Sequence, residues 1–169
     1  MTLTSPNELA APKIPQLPEE LVASSTFLLK RLGFAVKERT MKGYEGTGLH
    51  PYHHAILLVL DEGSLETQGA IADTLGYDRG QLVGLLDELE ERGLVERRRD
   101  PNDRRRHLVR LTGDGKRMLR RLRSLAKQIE NDFLSPLSEK DRANLHALLL
   151  RLAEKHEPRC ALAAAPVRD

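Results

Sequence analysis

Cysteine is nearly missing: Cys160 is the single thiol in 169 residues. That excludes an intrachain disulfide framework and fits a reducing, cytoplasmic compartment. Tryptophan is absent, and three phenylalanines with three tyrosines complete the set of Phe, Tyr and Trp. None of these six lies between 95 and 123, where basic residues concentrate. Readers of single-stranded nucleic acid stack bases on exposed aromatic rings, so RNA-binding or non-specific architectural modules are poorer fits than duplex readers. No apolar run approaches the roughly 20 residues of a membrane-spanning helix, so no membrane partner is expected. The N-terminal MTLTSPNELAAPKIPQLPEE lacks the basic stretch and apolar core of a secretory signal. HExxH, GxSxG and phosphate-binding glycine loops are missing, which argues against an enzyme. No cofactor is implied.

Charge is present in abundance but unevenly placed. The total is +2, from 27 basic and 25 acidic residues. Residues 95–123 hold twelve of the basic groups (Arg97, Arg98, Arg99, Arg104, Arg105, Arg106, Arg110, Lys116, Arg117, Arg120, Arg121, Arg123) against four acidic ones. Such a block in an otherwise acidic chain points to a polyanion meeting one face. Six of the twelve lack a carboxylate three or four residues away and others flank the predicted turn, so the block reads as unpaired cations.

Periodicity divides the chain into five parts. Residues 1–17, with Pro6, Pro12 and Pro15, read as a loose arm. A helix begins at Pro18, with Leu21, Ser25, Leu28, Leu29, Leu32 and Val36 in one sector, and ends in the glycines of 43–48. Residues 49–111 hold a second helix over Leu49–Leu60, with Ile56–Leu60 buried, and then two short helices. Thr67 caps Gln68–Leu75, Gly76 stops it, and Asp78 caps a helix ending near Gly93. Leu82, Leu85, Leu86 and Leu89 give that fourth helix an inward face. The short turn at Gly76-Tyr77 makes the pair a helix-turn-helix candidate. Leu94–Arg99 and Arg106–Leu111 then form a hairpin around Asp100-Pro101-Asn102-Asp103, whose Asp and Pro suit a type I turn. Residues 112–157 hold two more helices, Thr112–Phe133 and one opened by the capping box at Ser138–Asp141. From Pro158 onward the tail reads as loose, and Cys160 within it is a poor redox sensor. The fold class is mainly α with a small β-wing. The first helix and the last two retain apolar stripes, which two-fold association would bury, giving a homodimer.

The stretch from Ala70 to Gly115 resembles the winged helix-turn-helix of MarR-type transcriptional regulators. The most specific part is Leu89-Glu90-Glu91-Arg92-Gly93-Leu94-Val95, followed by Asp100-Pro101-Asn102-Asp103-Arg104-Arg105 and Leu111-Thr112. The resemblance implies a homodimer joined by its N- and C-terminal helices. It also implies binding to a palindromic DNA duplex, commonly as a repressor released by a small aromatic ligand. The fourth helix would enter the major groove with Arg79, Gly80, Gln81, Val83 and Gly84 outward. Arg79 suits guanine, Gln81 adenine and Val83 a thymine methyl. Gly80 and Gly84 would permit close approach of the helix backbone, or simply be tolerated on a face without packing. Thr67 and Gln68 would bond phosphate. The wing would supply Arg97, Arg99, Arg105 and Arg106, with Arg104 at its tip in a narrow minor groove.

The run Leu49-His50-Pro51-Tyr52-His53-His54 falls where the family has a cleft beside its reading head. His50, Tyr52, His53 and His54, with Arg31, Phe34 and Tyr44, are candidate ligand-binding residues for an aromatic acid or phenol. Two other readings remain open. His50 and His54, at i and i+4, suit one face of a metal site and hence a metal-responsive regulator, although no third ligand is evident. Alternatively, His53 or His54 is a packed, hydrogen-bonded core residue.

Overall fold

The computed structural model describes residues 15–63, 66–103 and 105–160. Its elements run α1 (Glu19–Val22), α2 (Ser25–Tyr44), α3 (Pro51–Glu62), β1 (Glu66–Thr67), α4 (Gln68–Leu75), α5 (Arg79–Glu91), β2 (Val95–Arg99), β3 (His107–Leu111), α6 (Gly113–Phe133) and α7 (Glu139–His156). Short 3-10 turns follow α2 at Glu45–Thr47 and α7 at Pro158–Cys160. The chain separates into two compact units between Lys37 and Glu38. Most of the expected N-terminal arm and the tail beyond Cys160 lie outside the described residues, as does Arg104. Among the described residues no helix is long and apolar enough to cross a membrane.

In the first unit the single helix expected from Pro18 is broken after Val22. Ser24 restarts the chain by accepting the Phe27 N–H on its hydroxyl at 3.3 Å. Serine competes in this way for backbone donors, which the leucine spacing concealed. Leu21, Leu28, Leu29, Leu32 and Val36 are all exposed, and Phe34 is 61% exposed.

The second unit has one core. Ile56 and Leu57 of α3, Ile71 of α4, Leu82, Leu86 and Leu89 of α5, Val95 and Val109 of the sheet, and Leu119 and Leu122 of α6 are fully buried. Each such side chain contributes about 1.5–3 kcal/mol relative to exposure. Leu58 and Val59 are only partly buried, because a helix crossing a core cannot turn five consecutive residues inward. The expected caps form: Thr67 accepts from Ala70 N, Asp78 from Gly80 N and Gln81 N, and Thr112 from Gly115 N. Gly76 closes α4 with φ +66°. Two boundaries differ from expectation. α3 starts at Pro51 rather than Leu49, because His50 serves as its N-cap. α2 continues through Gly43, where the missing Cβ leaves room for the Ile129 side chain of α6.

The wing hairpin pairs Val95 with Leu111 through Arg99 with His107. A third strand, β1, joins its other side, pairing Glu66 with Val109 and Thr67 with Leu108. Two residues are too few to show alternation, so periodicity missed β1. β3 is therefore the central strand, which explains why Leu108 and Val109 are both apolar. α7 has no buried residue, and its Leu148, Leu149 and Leu152 are exposed.

Two glycines predict opposite responses. A Cβ at Gly115 would be driven into the Leu94 carbonyl oxygen, whereas one at Gly84 meets nothing within 4 Å. Gly115→Ala should cost about 1–3 kcal/mol through overpacking. Gly84→Ala should stabilise by up to about 1 kcal/mol through helix propensity. Chemical denaturation midpoints of the two variants check both.

Candidate nucleic-acid interface

The burial of Leu82, Leu86 and Leu89 turns the opposite side of α5 to solvent. Arg79, Gly80, Gln81, Val83 and Gly84 are accordingly exposed. Asp78 anchors the start of this helix, with its Oδ1 2.8 Å from Gly80 N and 3.2 Å from Gln81 N. Thr67, Gln68, Arg79, Val83, Arg105 and Arg106 line one hollow of about 670 Å³ between α4, α5 and the wing. Half of the twelve residues expected to meet DNA are thus gathered around one concave surface. His107 lines it too and was not anticipated. Its alternation with buried Val109 along β3 puts it on the inner face of the strand, a signal legible only once the register is known.

The wing loop is closed by its acidic residues. Asp100 Oδ1 accepts from Asn102 N at 2.8 Å, and Asp103 Oδ1 accepts from Arg105 N at 3.0 Å. Asp100 N donates to the Arg106 carbonyl at 3.0 Å. Asp103 also stands 3.2 Å from Arg106 Nε, so it braces one wing arginine as well as the loop.

The expectation of unpaired cations is corrected. Arg97, Arg98, Arg106, Arg110, Arg117 and Arg123 each have a carboxylate partner. Several partners come from elements distant in sequence or opposite in the ladder. Glu96 faces Arg110 across the hairpin, and Asp61 of α3 reaches Arg123 of α6 at 2.8 Å. Helical spacing carries no trace of such contacts. Most of these pairs are exposed and individually weak. Arg97 differs. Its side chain is 20% exposed and lies against α5. Arg99 remains exposed at the end of β2.

The histidine run is first of all structural. His50 Nδ1 accepts from Tyr52 N at 3.2 Å, and His53 Nδ1 accepts from His50 N at 2.9 Å, a reciprocal cap on α3. A backbone N–H can only donate, so the neutral His53 carries its proton on Nε2. That nitrogen is buried and lies 3.1 Å from Glu88 Oε2 of α5. His54 Nδ1 is 2.6 Å from the buried Tyr44 hydroxyl, while its Nε2 is buried without a partner. Tyr52 is exposed and packs edge-on against Tyr77, with ring centroids 5.2 Å apart. His50 and His54 are committed to different partners, and the described residues hold no group of three metal-ligating side chains. Arg31 and Phe34 belong to the first unit and are exposed.

Comparison with known proteins places this geometry in a lineage. Residues 47–106 match the model of the MarR family. A solved MarR-family transcriptional regulator from Rhodococcus sp. RHA1 is 32% identical, with a TM-score of 0.67, covering 76% of this chain and 91% of that one. The chain belongs to the MarR family. It also resembles CouR, a transcriptional repressor solved on a 23-mer DNA duplex, at 35% identity and TM-score 0.74, covering 82% of this chain and 99% of that one. CouR from Rhodococcus jostii RHA1, solved with p-coumaroyl-CoA, is 28% identical with TM-score 0.67, covering 82% and 97%. A putative regulatory protein for the hcr operon of Thauera aromatica is 33% identical over 62% of this chain. The match spans 63% of that protein's length. These MarR relatives are transcriptional regulators rather than enzymes, and the winged helix is their shared fold.

Burial holds both His53 and His54 below the ordinary imidazole value. Glu88 opposes the effect at His53, and Arg123 reinforces it at His54. The folded state therefore binds fewer protons than the unfolded one, and stability rises with pH through the window below about 6.5. Lowering the pH from 8 toward 5 should reduce the denaturation midpoint. The dependence should flatten in His53→Gln/His54→Gln. The paired carboxylates Glu90 and Glu96 act below their ordinary value of 4.5, outside the range from pH 8 to 5.

Proposed function

We propose that the protein is a cytoplasmic, homodimeric MarR-type repressor that binds a palindromic DNA duplex and is released by a small aromatic, anionic ligand. The observation that carries the DNA reading is the hollow shared by Thr67, Gln68, Arg79, Val83, Arg105 and Arg106. It combines a helix with an outward face free of core contacts and a basic ribbon beside it. In this reading α5 lies in the major groove, Arg79 and Gln81 meet base edges, and Val83 meets a thymine methyl. The bare surfaces of Gly80 and Gly84 let the backbone come close. Arg99, Arg105 and Arg106 hold phosphates, and Arg104 is assigned the adjoining minor groove. Gln68 at the start of α4 bonds phosphate through its side chain, and the Thr67 hydroxyl, which accepts from Ala70 N at 3.1 Å, still has its own proton to donate to phosphate.

Dimerisation rests on the apolar residues that each unit leaves uncovered. Leu28, Leu29, Leu32 and Phe34 in the first, and Leu148, Leu149 and Leu152 in the second, find no burial within one chain. A second copy supplies the cover by two-fold symmetry. Half-sites about one helical turn apart, roughly 34 Å, follow from that symmetry.

The ligand reading draws on a hollow of about 560 Å³ between α2 and α6, lined by Arg39, Lys42, Gly43, Ile129, Asp132 and Ser135. Arg39 lies over the Phe133 ring at 5.5 Å. Two cations against the single carboxylate of Asp132, with Ile129 as an apolar contact, suit an aromatic carboxylate or thioester, in keeping with the p-coumaroyl-CoA bound by CouR. The exposed Tyr52 and the histidine cap stand as candidates for transmitting occupancy to α5 through the His53–Glu88 contact.

Selection from a random duplex pool should yield a palindrome. Arg105→Ala should weaken binding to every duplex and lower the salt slope by about 0.9. Gln81→Ala should instead relax preference at one base position by about 1–3 kcal/mol. Uniform loss for Gln81→Ala, or no palindrome at all, would overturn the assignment. Leu148→Glu/Leu152→Glu should sediment as a monomer with the winged helix folded by circular dichroism, and should lose cooperative binding to both half-sites.

A further inference from the structure

Arg97 was expected among the phosphate contacts, and its place in the fold indicates another use. Its Nε donates to Glu90 Oε2 at 2.8 Å, and its backbone N–H donates to Glu90 Oε1 at 3.1 Å. One of its terminal nitrogens lies 2.6 Å from Asp87 Oδ1. Asp87 and Glu90 stand one turn apart on α5, and Arg97 is the middle residue of β2. On the ladder it lies opposite Val109, which is fully buried, so its backbone is fixed from the other strand as well. A planar guanidinium held by two carboxylates, with the same residue's amide on one of them, allows little rotation. Glu90 and Arg97 also form, with Gln68, Val83 and His107, the wall of a hollow on the side of α5 assigned to DNA.

We infer that Arg97 is a positioning residue: it locks the wing to the recognition helix at the angle needed to engage adjacent grooves together, and does not itself hold a phosphate. The inference rests on the DNA-binding reading above and deepens it. Buried Val95 and Val109 seat the hairpin in the core, and Gly93, with φ +67°, lies in the turn that joins it to α5. The clamp fastens the strand to the helix beyond that turn. Its second consequence is electrostatic. Two carboxylates on the groove-facing helix would repel phosphate, and Arg97 offsets one of their two charges.

The two roles give opposite signs for one variant. Glu90→Gln/Asp87→Asn removes the partners of Arg97 while keeping their shapes. If Arg97 is a clamp, the full-length variant should lose its preference for the selected duplex over a random duplex of equal length by about tenfold or more. Binding to the random duplex should be unchanged or tighter. Arg97→Gln should show the same loss of preference with an unaltered salt slope, and Arg97→Lys should fail to restore it because an ammonium cannot span both carboxylates. All measurements are made at a temperature where circular dichroism reports full folding, so a simple loss of stability does not move the ratio. If Arg97 is a phosphate contact, freeing it by Glu90→Gln/Asp87→Asn should tighten both duplexes equally. In that case Arg97→Gln should weaken both and lower the salt slope by about 0.9. That result overturns the inference and leaves the DNA-binding reading intact. Wild-type protein without preference for any duplex overturns the DNA-binding reading, and the clamp with it.

Discussion

The surface assigned to DNA exists because three leucines of one helix face the other way. Leu82, Leu86 and Leu89 enter the core at i, i+4 and i+7 and are fully buried. Their burial fixes the rotation of α5 about its axis, and rotating it by one residue would carry an apolar side chain to the surface and a polar one inward. Burial of Ile71 on α4 and Val95 and Val109 in the sheet fixes the neighbours in the same way. Arg79, Gln68 and Arg105 therefore share a hollow. Their convergence is a by-product of apolar packing on the far side of each element. Readout on such a scaffold can change residue by residue while the fold stays constant.

The histidine run shows how a polar cluster can be read two ways from sequence. Three histidines and a tyrosine at a helix start invite a ligand or a metal. The backbone at that helix start also needs acceptors for its free N–H groups. His50 and His53 supply them. His54 meets Tyr44 at the end of α2, and its other nitrogen is left buried and unpartnered. Such an orphan is costly in a tight core. The cluster thus joins α2, α3 and, through Glu88, α5 by neutral imidazoles, and it is sensitive to anything that adds a proton.

Much of this was legible in the sequence, for reasons that differ by element. α4 and α5 were readable almost to the residue, because Thr67, Asp78, Gly76 and Gly93 are local punctuation and act within one turn. The wing was readable from Asp100 and Pro101 even though its strands alternate poorly. β1 was hidden, since a two-residue strand takes its identity from its partner β3. The break at Ala23–Ser24 was hidden beneath a leucine pattern that continues across it. The pairing of the arginines was hidden most fully. Arg106 and Arg117 pair three residues away and Arg98 two, but the partners of Arg97, Arg110 and Arg123 lie across a hairpin or on another helix, where neither heptad nor alternation connects them.

That last point changes how the basic block should be understood. Counted along the chain, residues 95–123 look like a reservoir of free positive charge. In the fold, the charge divides. Arg98, Arg110, Arg117 and Arg123 are spent on exposed bridges to nearby carboxylates. Arg97 is turned toward α5. From the block, only Arg105 and the Asp103-braced Arg106 line the hollow, where Arg79 of α5 joins them. A single winged helix with so few cations gains only modest affinity from phosphate, since each neutralised phosphate contributes one increment to the salt-dependent term. Two copies held at a fixed spacing multiply that gain, because the second half-site is bound at high effective concentration. The apolar residues left open on α2 and α7 and the thinness of the charge on the reading head therefore belong to one economy. Under the proposed function, the first favours a dimer and the second is offset by one.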